Sequence, residues 1–147
     1  MQQQLHISVT PVPTYREAVQ DTDIVVTATT GQGSFVHKSW LHPGTTILKV
    51  GSHRELAPSL LQHLDKIIVD SWQYTATTAP EIRDAQLTRD DIHAELAEIV
   101  THQKKGRFHP SERILFISLG MAIEDSGVAY LAYRKAQHLN VGIELDL

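Results

Sequence analysis

Asp23-Ile-Val-Val-Thr-Ala-Thr29 decides how this chain is read. Its β-branched residues follow one another without polar alternation, which is the pattern of a strand covered on both faces in a parallel sheet. Upstream, Thr14-Tyr-Arg-Glu17 places a capping hydroxyl three residues before a carboxylate able to return a bond to the cap amide, so a short helix is expected over 14–21. Downstream, the Pro43-Gly44 turn sets up a strand at Thr46-Ile-Leu-Lys-Val50 that ends at Gly51. Pro58 opens a helix through Leu64, with Leu60, Leu61 and Leu64 on one side. Lys66-Ile-Ile-Val-Asp70 and Ile114-Leu-Phe-Ile-Ser118 are the third and fourth strands. Strand and helix alternating at this spacing means crossover units in a parallel sheet, so the fold class is α/β.

Between the last two strands the pattern loosens, with a helical turn near Pro80 to Asp84. Thr88 and Asp91 then read as the cap of a helix carrying Ile92, Leu96, Ile99 and Val100 on one face, with Gly106 beyond its end. Residues 122–139 form the longest helix, closed by Asn140 and Gly142.

The chain has 147 residues, the size of one domain, and 41% hydrophobic with 20% charged content excludes disorder and collagen-like structure. No stretch reaches the roughly 18 apolar residues of a membrane helix, and Met-Gln-Gln-Gln lacks the basic and apolar regions of a signal peptide. The absence of cysteine removes disulfides, thiolate metal sites and a cysteine nucleophile, and fits a reducing compartment. The expectation is a cytoplasmic protein. A net charge of -4 gives no general attraction for nucleic acid or membrane. The single basic run, Lys104, Lys105 and Arg107, reads as the cationic complement of a helix C-terminus.

Ligands of an open parallel sheet bind outside the carboxyl ends of its strands, where loops and unpaired N–H groups converge. Here those ends are Thr27-Ala-Thr-Thr-Gly31, Gly51-Ser-His53, Asp70-Ser71 and Ser118-Leu-Gly120. That glycine and threonine simply make turns there is an equally good reading of the residues. Gly31-Gln-Gly33-Ser-Phe-Val36 imitates a dinucleotide fingerprint, but Val36 holds the third glycine position, so nothing in the chain grips a pyrophosphate. His37 with His42 and His102 with His109 have no metal-ligand spacing or accompanying carboxylate, and no metal site is expected. His53, after a Gly-Ser pair at a strand end, could transfer protons near neutrality, against the plainer reading of a loop histidine without a role. Ser118 lacks the flanking glycines of a nucleophile elbow. Trp40 is read as packing beneath the loop before Pro43, and Trp72 and Tyr74 as core residues rather than pocket lining.

Glu17-Ala-Val, Asp23 to Thr29, Trp40-Leu-His-Pro-Gly44, Val50-Gly51, Arg54-Glu-Leu56, Val69-Asp-Ser71 and Phe116-Ile-Ser-Leu-Gly-Met-Ala-Ile-Glu-Asp125 together resemble the ornithine cyclodeaminase and mu-crystallin family, on its mu-crystallin, ketimine-reductase side. The resemblance covers 14 to about 137. It implies a Rossmann-type domain binding NAD or NADP, a cyclic or linear imine or an amino acid as substrate, and hydride transfer in the complete protein. By position, Thr27, Ala28 and Thr29 would approach the dinucleotide, Val50, Gly51 and Ser52 would border the nicotinamide, and Ser118, Leu119 and Gly120 would close over it. His53 stands where cyclodeaminases carry a proton-accepting aspartate, and the loop behind it is shortened.

The resemblance further implies one partial domain over 1–147: the later part of a Rossmann-type sheet at 14–118, and a helix at 119–147 returning toward a substrate and dimerisation domain. Residues 1–13 leave room for a strand at Leu5-His-Ile-Ser-Val9. The expectations are weak or absent cofactor binding by the chain alone, and a homodimer or association with an N-terminal half. The alternatives are a non-catalytic binder of small molecules or NAD(P), and an assembly partner completing a split enzyme.

Overall fold

In the computed structural model, which describes residues 6–31, 33–143 and 145, five parallel strands form one sheet. In chain order the elements are α1 (Tyr15–Val19), β1 (Ile24–Thr27), β2 (Thr46–Lys49), α2 (Pro58–Leu61), β3 (Lys66–Val69), α3 (Trp72–Thr78), α4 (Pro80–Asp84), β4 (Ala94–Glu95), α5 (Leu96–Val100), β5 (Ile114–Ile117) and α6 (Ala122–Leu139). The sheet order is β1-β2-β5-β3-β4, so the last long strand inserts between β2 and β3. All four strands read from the sequence are present.

Register aligns Val25, Ile47, Leu115 and Ile67 in one row and Thr27, Lys49, Ile117 and Val69 in another. Because side chains alternate across a strand, these rows share a face. Both are buried, and their apolar members pack with Leu56, Leu60, Leu61, Ala79 and Ile82 in the core. The opposite face is covered unevenly: Ile68 is buried and Leu48 and Phe116 half-buried, but Ile24 and Val26 are 62% and 59% exposed. The expected double cover of β1 is therefore corrected. β1 lies at the sheet edge, and its outer face is bare among the described residues. β-Branched residues suit a pleated strand whatever lies over them, so the run could not report the missing layer.

The helix expected from Thr88 onward is also corrected. Asp91 accepts from the Thr88 amide at 2.7 Å and hydroxyl at 2.8 Å, but this box closes only a 3-10 turn at Arg89–Asp91. The His93 amide then donates to Ile67 at 2.8 Å and β4 pairs with β3, so the backbone belongs to the sheet until Leu96. At α1, Thr14 accepts from the Glu17 amide at 3.2 Å, while its hydroxyl, not its amide, donates to the Glu17 carboxylate at 2.8 Å. That helix ends at Val19 and α2 at Leu61, both short of the expected bounds. Residues 6–9 form no strand, and Leu5 lies outside the described residues. α6 matches its expected span and ends at Asn140 in the left-handed conformation (φ 50°). Most of its apolar side chains, Ile123 and Leu131 among them, are exposed.

The basic run is structural. Lys104 pairs with Glu98 of α5 at 3.2 Å and donates to the His93 carbonyl at 3.0 Å. Arg107 donates to Gly44 O at 3.0 Å and Thr46 Oγ1 at 2.9 Å, joining the start of β2 to the segment before β5. Nearby, burial pushes the Glu112 carboxyl up, but the Phe108 amide at 2.7 Å and Lys66 Nζ at 3.1 Å outweigh it and lower its pKa to about 2. A depressed carboxyl stabilises the fold above its ordinary value, near 4.3, and that contribution disappears as the pH falls toward 2. The urea midpoint should therefore drop across this window, and Glu112→Gln should flatten the drop; parallel pH profiles would show that the Glu112 charge contributes nothing.

Candidate functional site

The carboxyl ends of β1, β2 and β5 stand side by side, and the ladder continues one step beyond them. Val50 N donates to Thr27 O at 3.0 Å and Ser118 N to Lys49 O at 2.8 Å. The three segments 27–29, 50–52 and 118–120 therefore end level and form one continuous rim. Along it Thr27 is buried, Thr29, Gly51, Ser118 and Leu119 are half-buried, and Ala28, Val50, Ser52 and Gly120 are exposed. Gly120 turns with φ +80°, a conformation that side chains other than glycine strain to adopt. His53 is exposed on the loop directly after Ser52. Its neighbour Arg54 donates through Nε and Nη2 to the Asp84 carboxylate at 2.5 and 3.0 Å, fixing the loop to α4. Asp84 raises the Arg54 pKa through that hydrogen bond and its charge.

The expectation that unpaired N–H groups converge here is overturned for three rim amides. Thr29 N donates to Glu55 Oε1 at 2.6 Å, and Leu119 N and Gly120 N donate to Asp70 Oδ2 at 2.8 and 3.1 Å. The Ser118 hydroxyl joins the same oxygen at 3.3 Å. Behind them Glu55 N donates to Glu81 Oε1 at 2.9 Å and Trp72 N to Glu95 Oε1 at 2.9 Å. A layer of carboxylates thus lies beneath the rim and turns its amides inward, the reverse of a phosphate cradle.

That layer is charged and dry. Glu55 and Lys49 are fully buried, Glu81 is 1% and Asp70 3% exposed. Lys49 Nζ stands 3.5 Å from Glu81 Oε2 and donates to Gly51 O, so the loop after β2 is held by its own strand's last residue. Burial pushes the Glu55 carboxyl up, yet the nearby Thr27 hydroxyl, the Thr29 amide and hydroxyl, and Lys49 together bring its pKa below the ordinary value. Glu55 Oε2 and Asp70 Oδ1 are buried without a completed hydrogen bond. Leaving a buried polar group unsatisfied costs about 1–3 kcal/mol, more when it is charged, and such departures concentrate at functional sites.

Sequence reading missed Lys49, Glu55, Glu81 and the role of Asp70. The available signal was a lysine directly after Ile47-Leu48 in a strand, and an aspartate directly after the most buried strand. The remaining candidates lie elsewhere. The His37 ring meets Trp40 edge-on at 4.7 Å, and Trp40 and Trp72 pack against the core, whereas Tyr74, read as core, is exposed. Val36 is fully buried and bridges to Leu56, so the Gly31 segment leads into the core. Among the described residues no three His, Asp or Glu side chains are grouped to hold a metal, and no helix is long and apolar enough to cross a membrane.

The family model described as the ornithine cyclodeaminase/mu-crystallin family matches residues 1–140. The chain is 31% identical over 150 residues to an N-((2S)-2-amino-2-carboxyethyl)-L-glutamate dehydrogenase of Staphylococcus aureus, covering 99% of this chain and 44% of that one. Its fold superposes with a TM-score of 0.91 and 36% identity on a Thermococcus litoralis Δ(1)-pyrroline-2-carboxylate reductase solved with NADH and L-proline, covering 98% of this chain and 47% of that one. An archaeal alanine dehydrogenase dimer with bound NAD superposes with a TM-score of 0.88 at 28% identity, covering 99% and 47%. The chain thus spans less than half the length of each.

Proposed function

The chain belongs to the ornithine cyclodeaminase/mu-crystallin family, and from that premise we propose that it forms the nicotinamide side of the NAD(P)-binding domain of an imine reductase. The observation that carries this reading is the continuous rim: the three segments expected to meet the cofactor end level on adjacent strands. The rim suits the ring end of a dinucleotide. Gly120, where an added Cβ would meet no atom within 4 Å, leaves the backbone open to a flat ring, while the inward-turned amides of Thr29, Leu119 and Gly120 give no grip for a pyrophosphate. When bound, NAD(P) supplies the hydride.

In this reading the residues from Thr27 to Thr29 flank the dinucleotide, Val50 to Ser52 lie against the nicotinamide, and Ser118 to Gly120 close over it. His53, on the exposed loop next to this surface, gives the proton that imine reduction requires. The substrate is a small imine derived from an amino acid. The bare face of β1, with Ile24 and Val26 exposed, favours association with a further polypeptide segment that covers it.

Titration of the 15N-labelled chain with NADH tests the site. The amides of 27–29, 50–52 and 118–120 should shift with an affinity near 1 mM, about -4 kcal/mol; no change there at saturating ligand rejects the reading. In an assembly that reduces pyrroline-2-carboxylate, His53→Ala should lower the rate about 100-fold and move its pH profile. An unchanged profile removes His53 as the proton donor.

A further inference from the structure

Resting on the rim as the nicotinamide site, we propose that it is charge-selective: buried Glu55 and Asp70 make it prefer the positively charged oxidised pyridinium ring to the neutral reduced one. Both carboxylates are nearly or wholly excluded from solvent. Among the described residues, all the hydrogen bonds they make are accepted from N–H or O–H donors. The one lysine in the layer, Lys49, makes its ion pair with Glu81, and Arg54 pairs with Asp84. Neither Glu55 nor Asp70 has an ion-pair partner within 4 Å among the described residues, and the Lys49 charge that also acts on Glu55 is shared with Glu81.

Their charge reaches the surface with little cover. A Cβ added at Gly51 would come within 3.2 and 3.3 Å of the two Glu55 carboxylate oxygens, so only glycine backbone separates that charge from the rim. A Cβ added at Gly120, whose amide meets Asp70, would find no atom within 4 Å, so the space above it is open. Each has an oxygen without a completed hydrogen bond, Glu55 Oε2 and Asp70 Oδ1, so its charge is not fully absorbed by the fold. Charges in a dry layer act on a neighbouring ligand far more strongly than they would through water, on the order of tenfold in affinity for a single-charge difference. Two carboxylates beneath one rim therefore favour a cationic, planar aromatic amide over its uncharged counterpart.

The test uses 1-methylnicotinamide, a permanent cation, and neutral nicotinamide, each titrated into the 15N-labelled chain while the amides of Val50, Gly51 and Gly120 are followed. The cation should bind about tenfold more tightly. Asp70→Asn and Glu55→Gln each keep an acceptor oxygen while removing the charge, and each should lower the ratio of the two affinities several-fold, a ratio in which a common change in the shape of the rim cancels. Equal affinity of the two probes at the rim, or a preference unchanged in both variants, overturns charge selection while leaving the ring site standing. Failure of both probes to shift the rim rejects the ring site, and charge selection with it. Should Asp70→Asn not fold, the wild-type ratio and Glu55→Gln decide the outcome.

Discussion

Lys49→Met is expected to destabilise the fold by about 3–4 kcal/mol, within the usual range for removing one partner from a buried ion pair. Methionine keeps the apolar stem, so the change removes the charge and the bond to Gly51 O while preserving most of the packing. Without Nζ, Glu81, at 1% exposure, keeps the Glu55 amide as a donor but has no cation, and Gly51 O loses the Lys49 donor. The penalty has a ceiling, because the carboxyl can escape by taking a proton. Protonating a group of ordinary pKa near 4.3 at pH 7 costs about 4 kcal/mol, so the loss saturates there. It should also shrink by about 1.4 kcal/mol for each pH unit lowered from 7 toward 5. A domain of this kind holds about 5–15 kcal/mol in total, so the variant approaches unfolding at neutral pH. Urea unfolding at two pH values checks both parts. Lys49→Met combined with Glu81→Gln should recover much of the loss and give a coupling of roughly 2 kcal/mol in the double-mutant cycle. A single variant within about 0.5 kcal/mol of wild type would show that the pair is dispensable.

The contrast between β1 and β4 shows which parts of the fold the residues could announce. β1, β2, β3 and β5 each carry two to four consecutive Ile, Val, Leu or Phe residues between turn residues, a local pattern that needs no knowledge of neighbours. β4 is two residues long and exists because β3 offers the Ile67 carbonyl to His93, a partner many residues away that no periodicity encodes. The same limit explains the error over β1: the strand was legible, but the emptiness of its outer face was a property of what is not packed on it. In the candidate site the rim was legible, since glycines and small polar residues mark strand ends. The layer beneath was not. Glu55 sits within the Arg54-Glu-Leu56 motif and Glu81 in a short helix, and only folding brings both to Lys49. The inward turn of the Thr29, Leu119 and Gly120 amides is a backbone orientation, which a residue's identity does not carry.

Asp70→Ala is the sharper probe of that layer, and it should cost about 2–4 kcal/mol while loosening the rim. A single oxygen accepts the Leu119 and Gly120 amides and the Ser118 hydroxyl, so alanine removes three bonds to a charged acceptor at once. Bonds to charged groups contribute about 1.5–3 kcal/mol each, but the sum is not reached here. Gly120 is exposed and Leu119 and Ser118 only half-buried, so water can reach the released donors and recover part of the loss. Local stability should fall further than global stability. Amide exchange at Leu119 and Gly120 should rise to that of an open loop, while exchange at amides of β3 and β5 should speed up only in proportion to the global stability lost. Asparagine retains an acceptor and should keep most of the protection, which separates the hydrogen bonds from the charge. Exchange at Leu119 and Gly120 that stays at the wild-type rate in the alanine variant would mean the turn holds itself. Asp70 would then have no part in shaping the surface on which the ring is proposed to lie.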